Sequence, residues 1–103
     1  MENMTFGEAL IEMRKDFAVA RAGWNGKGMY AVLMPGYPDG IGVDIVTSRV
    51  HCVAPGTVIK CRPYFQLWTA QKDCAMWTPN TSDLLAEDWL LVDIVKLRER
   101  LPI

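Results

Sequence analysis

The sequence predicts an α+β fold: a small antiparallel sheet of about five strands, an N-terminal amphipathic helix and a short helical turn near the C-terminus. Three observations predict it. A capped run at helical spacing opens the chain, short aliphatic and aromatic runs follow, and turn or loop sequences separate those runs. Because 103 residues allow one core, we expect a single domain over residues 1–103, with residues 35–60 as an inserted loop or hairpin.

The first elements are a helix and a hairpin. Thr5 and Glu8 have the spacing of a capping box, and apolar residues follow at helical spacing, which predicts a helix over residues 6–15. Strands are predicted over residues 17–21 and 29–34. Asn25-Gly26 lies between them and is typical of a tight hairpin turn, since both residues tolerate positive φ.

The insertion is rich in residues that interrupt regular structure. Residues 35–42 read PGYPDGIG, which predicts a loop. The β-branched runs at residues 43–46 and 50–53 predict two strands around a turn.

The C-terminal part predicts a second hairpin, a helical turn and a last strand. The aromatic, alternating run over residues 64–69 predicts a strand, residues 71–73 a turn, and residues 75–77 the returning strand. Thr81 or Ser82 can cap a helical turn that carries acidic residues. Residues 89–95 predict the final strand and residues 96–100 a solvated helical end.

The charge distribution is uneven although the net charge is only −1. Residues 1–18 carry a net charge of −2, residues 19–72 carry +4 and residues 73–103 carry −3. A basic middle between acidic ends does not suit a protein that coats long nucleic acid. It suits either a pocket for a small anion or scattered surface charge. No run of 18 apolar residues and no signal sequence are present, so we expect a cytoplasmic protein that does not bind membranes.

The reactive side chains do not form a recognisable catalytic or metal-binding pattern. Cys52, Cys61 and Cys74 lack metal-ligand spacing, and His51 lies next to Cys52, which in a strand would point to the opposite face. We therefore expect reduced cysteines, no metal and no cofactor. We also expect no catalysis, with a small nucleotide-cleaving hydrolase using Asp83 or Asp88 as the alternative.

The tryptophans are the strongest indication of a binding function. Trp68 and Trp89 lie within predicted strands and are explained by core packing. Trp24 and Trp77 each lie beside a turn, where they belong either to the core or to a pocket wall on which a nucleobase stacks. Nearby polar side chains suit base edges and ribose, and Lys27 or Arg21 suits a phosphate.

Three motifs in this order resemble the second Thoeris anti-defence family, a family of small phage and prophage proteins. They are FGEAL at residues 6–10, VARAGWNGKGMY at residues 19–30, and SDLLAEDW at residues 82–89. The resemblance covers nearly the whole chain apart from residues 35–60. It implies a non-catalytic sponge that sequesters cyclic ADP-ribose isomers made by TIR-domain enzymes, and in some members cyclic dinucleotides, in the infected host's cytoplasm. It also implies a homotetramer with pockets at subunit interfaces. A protein that directly inhibits a defence enzyme is a further alternative.

Residue by residue, the resemblance places ligand contacts at Trp24, Asn25, Trp77, Ser82 and Asp83. With the neighbouring polar, basic and apolar side chains, the predicted ligand-binding set is Arg21, Trp24, Asn25, Lys27, Met29, Trp77, Pro79, Asn80, Ser82 and Asp83. The insertion contributes Arg49, His51, Lys60 and Arg62, which form either a second anion site or part of a solvated hairpin.

Overall fold

The computed structural model describes residues 3–24 and 28–92, and it confirms the predicted α+β class. The elements, in chain order, are α1 (Phe6–Met13), β1 (Val19–Arg21), β2 (Tyr30–Met34), β3 (Tyr37–Gly42), α2 (Ile45–His51), β4 (Val58–Cys61), β5 (Tyr64–Trp68), β6 (Cys74–Trp77), α3 (Thr81–Leu85) and β7 (Trp89–Leu91). The predicted Asn25-Gly26 turn, the end of the last predicted strand and the predicted helical tail lie outside the described residues. No helix in the described part of the chain is long and apolar enough to cross a membrane.

The main sheet has five antiparallel strands in the order β6-β5-β2-β1-β7. The chain's last strand, β7, pairs with β1, and Arg21 lies opposite Trp89 in that register. β5 and β6 form the predicted hairpin, which is closed by a bond from the Thr69 amide to the Asp73 carbonyl (2.8 Å). This strand order brings residues near position 20 beside residues near position 90.

Helix α1 begins at the predicted capping box. The Thr5 hydroxyl accepts a hydrogen bond from the Glu8 amide (3.2 Å), and the Glu8 carboxylate accepts one from the Thr5 amide (3.0 Å). The buried face of the helix carries Ala9 and Met13. These side chains join a core that also contains Met4, Val19, Ala31 and Trp89.

Residues Met34–Tyr64 form a compact unit distinct from the described residues before and after them. It contains α2 and a two-stranded antiparallel sheet of β3 and β4. The predicted loop over residues 35–42 is therefore wrong, because β3 pairs with β4 despite its prolines and glycines. The register shifts between Tyr37 and Ile41, around Pro38 and Gly40. An irregularity of this kind accommodates residues that would break a regular strand.

The two predicted strands over residues 43–46 and 50–53 are also wrong, because residues 45–51 form helix α2. The Asp44 carboxylate accepts a hydrogen bond from the Thr47 amide (2.6 Å), which caps the helix. Helix α2 ends at Cys52, whose φ of 57° lies in the left-handed region. This capping outweighs the strand propensity of Val and Ile, and it places His51 and Cys52 at a helix end instead of on a strand.

Candidate functional site

Trp89 is the hub of an aromatic cluster. Its side chain is fully buried, and its ring contacts Phe6 and Trp24 at centroid distances of 5.4 Å and Trp77 at 6.1 Å, all edge to face. The indole N–H of Trp89 donates to the Asp83 carbonyl oxygen (3.0 Å). The polar atom of the largest core side chain is therefore satisfied, as burial requires.

Trp24 and Trp77 lie at the edge of this cluster. Both are half-buried and pack against the core. The sequence left open whether they belong to the core or to a pocket wall, and their partial burial is compatible with both roles. Their ring centroids are 6.0 Å apart and their planes meet at 85°. Because the rings are perpendicular and in contact, a nucleobase cannot be sandwiched between them. A base could stack on only one of the two rings at a time.

Arg21 joins two carboxylates that are remote from it in the sequence. Its Nε donates to Asp88 Oδ1 (3.0 Å) and its Nη1 donates to Asp83 Oδ1 (3.1 Å). Asp83 is buried, with 6% of its surface exposed. The second oxygen of Asp88 accepts a hydrogen bond from the Gly23 amide (3.2 Å). The three side chains together carry a net charge of −1, which does not favour a phosphate at Arg21.

The ion pairs also determine how these groups titrate. The hydrogen bond from Arg21 lowers the pKa of Asp88 below its ordinary value of 3.8, and the bond to Asp88 raises the pKa of Arg21. Asp88 is consequently ionised at neutral pH and holds no proton for acid catalysis.

Helix α3 is capped by Asn80, and the sequence prediction of Thr81 or Ser82 as the cap is wrong. The Asn80 side-chain oxygen accepts a hydrogen bond from the Asp83 amide (2.8 Å), and Asp83 Oδ2 accepts one from the Asn80 amide (3.0 Å). Asn80 is the cap because Asp83 lies three residues after it and completes a capping box. Ser82 is exposed in the first turn and Pro79 is half-buried before the cap.

Five of the ten residues in the predicted ligand-binding set are joined by direct contacts or through Trp89: Arg21, Trp24, Trp77, Asn80 and Asp83. Trp24 and Trp77 touch, and Arg21 connects the segment before Trp24 to helix α3. Met29 is half-buried just before β2, and Gly28 has a φ of 79°. The predicted contacts Asn25 and Lys27 lie outside the described residues.

The basic residues of the insertion are spread over two elements of the 34–64 unit. Arg49 and His51 lie in the last turn of α2, Lys60 lies in β4 and Arg62 follows β4. All four are exposed, and none forms an ion pair within the part of the chain that the structure describes. The second anion site stays a prediction. Among the described residues no group of three or more His, Cys, Asp or Glu side chains could hold a metal ion.

The sequence did not predict a cavity of about 330 Å³ within the 34–64 unit. It was missed because residues 35–42 were expected to be a loop, which would provide no wall. Ile59 and Cys61 line it, and Lys60 alternates with them, so Lys60 points to the other face of β4. The lining residues are Tyr37, Ile41, Gly42, Val43, Asp44, Thr47, Ile59 and Cys61.

Comparison with known proteins agrees with the resemblance seen in the motifs. A family model described as the Thoeris anti-defense 2-like domain matches residues 4–92. A curated protein of Bacillus phage SP01, named Thoeris anti-defense 2, is 33% identical over 92 residues, which cover 86% of this chain and 94% of that protein.

Proposed function

The chain belongs to the Thoeris anti-defense 2-like family, its role is therefore anti-defence, and we propose that it acts by capturing a cyclic nucleotide signal without cleaving it. The signal is a cyclic ADP-ribose isomer made by a TIR-domain enzyme, with cyclic dinucleotides as a second ligand class. Capture takes place in the cytoplasm of the infected bacterium and keeps the signal from its effector. The observation that carries this proposal is the pair of half-buried indoles, Trp24 and Trp77, packed on the buried Trp89.

The indoles support the recognition of a purine. A base that stacks on one ring meets the other edge-on, because the two ring planes are perpendicular. Stacking of a base on an aromatic side chain contributes about 1–3 kcal/mol. Since Trp89 holds both rings, little conformational entropy is lost on binding, which favours high affinity.

Polar side chains around the indoles complete the proposed site. Asn80 and Ser82 are exposed and close to Trp77 in sequence. The Asn80 oxygen caps α3, so its amide nitrogen and the Ser82 hydroxyl are the groups that suit base edges or ribose hydroxyls. Lys27 supplies the charge for phosphate, because Arg21 is already engaged by two carboxylates. A second copy of the chain completes the pocket in a homotetramer.

Capture without cleavage is supported by how the acidic groups are used. Asp83 caps α3 and pairs with Arg21, while Asp88 holds Arg21 and the Gly23 amide. All four oxygens of the two carboxylates already accept a hydrogen bond within the protein, which supports a structural role for them over acid–base catalysis. Stoichiometric capture then requires tight binding, and a nanomolar Kd corresponds to about −12 kcal/mol.

The test is calorimetric titration of the protein with a panel of cyclic ADP-ribose isomers and cyclic dinucleotides. We expect one member to bind in the nanomolar range, and we expect heat denaturation of the complex to release it chemically intact. Native mass spectrometry of the same sample reports the number of chains and ligands in the complex. A lack of binding to every member, or recovery of a cleaved product, would refute the proposal.

A further inference from the structure

Arg21 connects the two segments that flank the candidate site. From the end of β1 it reaches Asp83 in α3, 62 residues away in sequence, and Asp88 just before β7, 67 residues away. The backbone of Arg21 is held in place independently of these side-chain bonds, because Arg21 pairs with Trp89 between strands β1 and β7. The guanidinium therefore projects from a rigid position beside the aromatic hub.

Each carboxylate uses its other oxygen to hold a backbone amide. Asp88 Oδ2 accepts from Gly23, the residue before Trp24, and Asp83 Oδ2 accepts from Asn80. A Cβ atom on Gly23 would lie 3.4 Å from Asp88 Oδ2, so the backbone and the carboxylate are in close contact there. A single guanidinium thus fixes the two acids, and the acids fix the backbone at both sides of the indole pair.

We propose that Arg21, Asp83 and Asp88 form a clamp that holds Trp24 and the start of α3 in the arrangement that the ligand requires, and that Arg21 is a positioning residue with no ligand contact. The consequence for binding rests on the proposed function; the structural role of the clamp does not. The planar guanidinium donates from two nitrogens in fixed directions, which suits it to bridging two carboxylates. A lysine donates from a single nitrogen on a flexible stem and lacks the guanidinium's fixed two-nitrogen geometry, so it should hold the two carboxylates less well.

The variants R21Q and D88N distinguish a positioning role from a phosphate contact. If Arg21 bound phosphate, D88N would remove a competing negative charge and tighten binding, and R21Q would reduce the salt dependence of the Kd. The clamp predicts weaker binding by D88N and an unchanged salt dependence for R21Q. Both variants raise the Kd for the tightest-binding member of the panel by roughly tenfold, the loss expected when a preorganised site loses its supporting bonds, and R21Q leaves the salt dependence unchanged.

Lys15→Gln is the matched control, because the Lys15 side chain is exposed and its one ion pair within the described residues is with Glu12 at 3.6 Å. It removes one positive charge, as R21Q does, and we expect its Kd to equal that of the wild type. Arg21→Lys keeps the charge and should bind as weakly as R21Q. Tighter binding by D88N, or wild-type binding by Arg21→Lys, would overturn the clamp while leaving the proposed function intact.

Two measurements without ligand test the clamp separately. Hydrogen exchange of the 22–24 amides should accelerate in R21Q and D88N, and the near-ultraviolet circular dichroism of the perpendicular indoles should weaken, while K15Q retains both signals. If the wild type binds nothing in the panel, the proposed function fails and these two measurements still decide the clamp. Unchanged exchange and dichroism in both variants would overturn it.

Discussion

Replacement of Trp24 by alanine should weaken ligand binding in a protein that still folds. Trp24 is half-buried, with edge-to-face contacts to Trp89 at 5.4 Å and to Trp77 at 6.0 Å. Truncating a fully buried tryptophan costs about 3–5 kcal/mol, and a half-buried one about half of that, roughly 2 kcal/mol. A domain of this size has a free energy of unfolding of about 5–15 kcal/mol, so the variant stays folded.

The expected changes are measurable in two assays. A loss of about 2 kcal/mol lowers the Tm by roughly 8–16 °C, which thermal circular dichroism detects. Loss of one stacking surface costs about 1–3 kcal/mol of affinity, which raises the Kd roughly 5- to 150-fold in calorimetry at a temperature well below the variant's Tm.

Trp68 provides a matched control for this variant. It is also half-buried, and its ring stacks on Tyr30 at 6.1 Å. Phe65 and Leu67 of the same strand pack against the core, so alternation places Trp68 on the other face of the sheet. Trp68→Ala should lower the Tm similarly and leave the Kd unchanged. An unchanged Kd for Trp24→Ala, or equal losses of affinity in both variants, would refute the assignment of Trp24 to the site.

Three further predictions follow from individual contacts. Trp89→Phe removes the indole N–H bond to a buried carbonyl and part of the hub, and should cost about 2–4 kcal/mol in urea unfolding. The hydrogen bond from Arg21 lowers the pKa of Asp88. Its contribution to the free energy of unfolding is therefore complete above the ordinary pKa of 3.8 and is lost as the pH falls through the lower folded-state pKa. D88N should make the free energy of unfolding fall less steeply as the pH is lowered through this range. Gly36 has φ of 66°, and a Cβ there would lie 2.6 Å from two backbone carbonyl oxygens, so Gly36→Ala should lower the Tm through a strain of about 1–3 kcal/mol.

Each of these predictions has an outcome that contradicts it. Wild-type stability of Trp89→Phe would mean that the hub tolerates a smaller ring without a hydrogen bond. Parallel acid titrations of the wild type and D88N would remove Asp88 as a source of acid sensitivity. A Tm for Gly36→Ala at or above that of the wild type would show that the backbone there relaxes without cost.

Local sequence patterns were sufficient to predict the elements that depend on nearby residues. The capping box at Thr5, the aromatic strand at residues 64–68 and the turn before Cys74 depend on neighbours within a few residues. The 35–60 segment was predicted poorly because its outcome depends on longer-range or competing effects. β3 exists only through its pairing with β4, and α2 exists because one cap at Asp44 outweighs several β-branched residues.

The sequence likewise predicted some features of the candidate site and not others. Sequence reasoning selected Trp24 and Trp77 from their position beside turns, and offered Lys27 or Arg21 for a ligand phosphate. It had no means of pairing Arg21 with Asp83 and Asp88, because these residues meet only when β7 pairs with β1. It likewise could not predict that the two indoles are perpendicular, since that angle is set by how both pack on Trp89.

By itself, the amino-acid sequence determined the α+β class, the N-terminal helix, the hairpin strands and the family, because these depend on short motifs and on the periodicity of apolar residues. The tertiary structure alone decided which polar groups of the candidate site are already hydrogen-bonded and how the two indole rings are oriented. The physical reason is that hydrogen bonds and ring contacts require distances of a few ångströms. In this chain, the two hydrogen bonds that Arg21 donates to carboxylates join residues more than sixty positions apart.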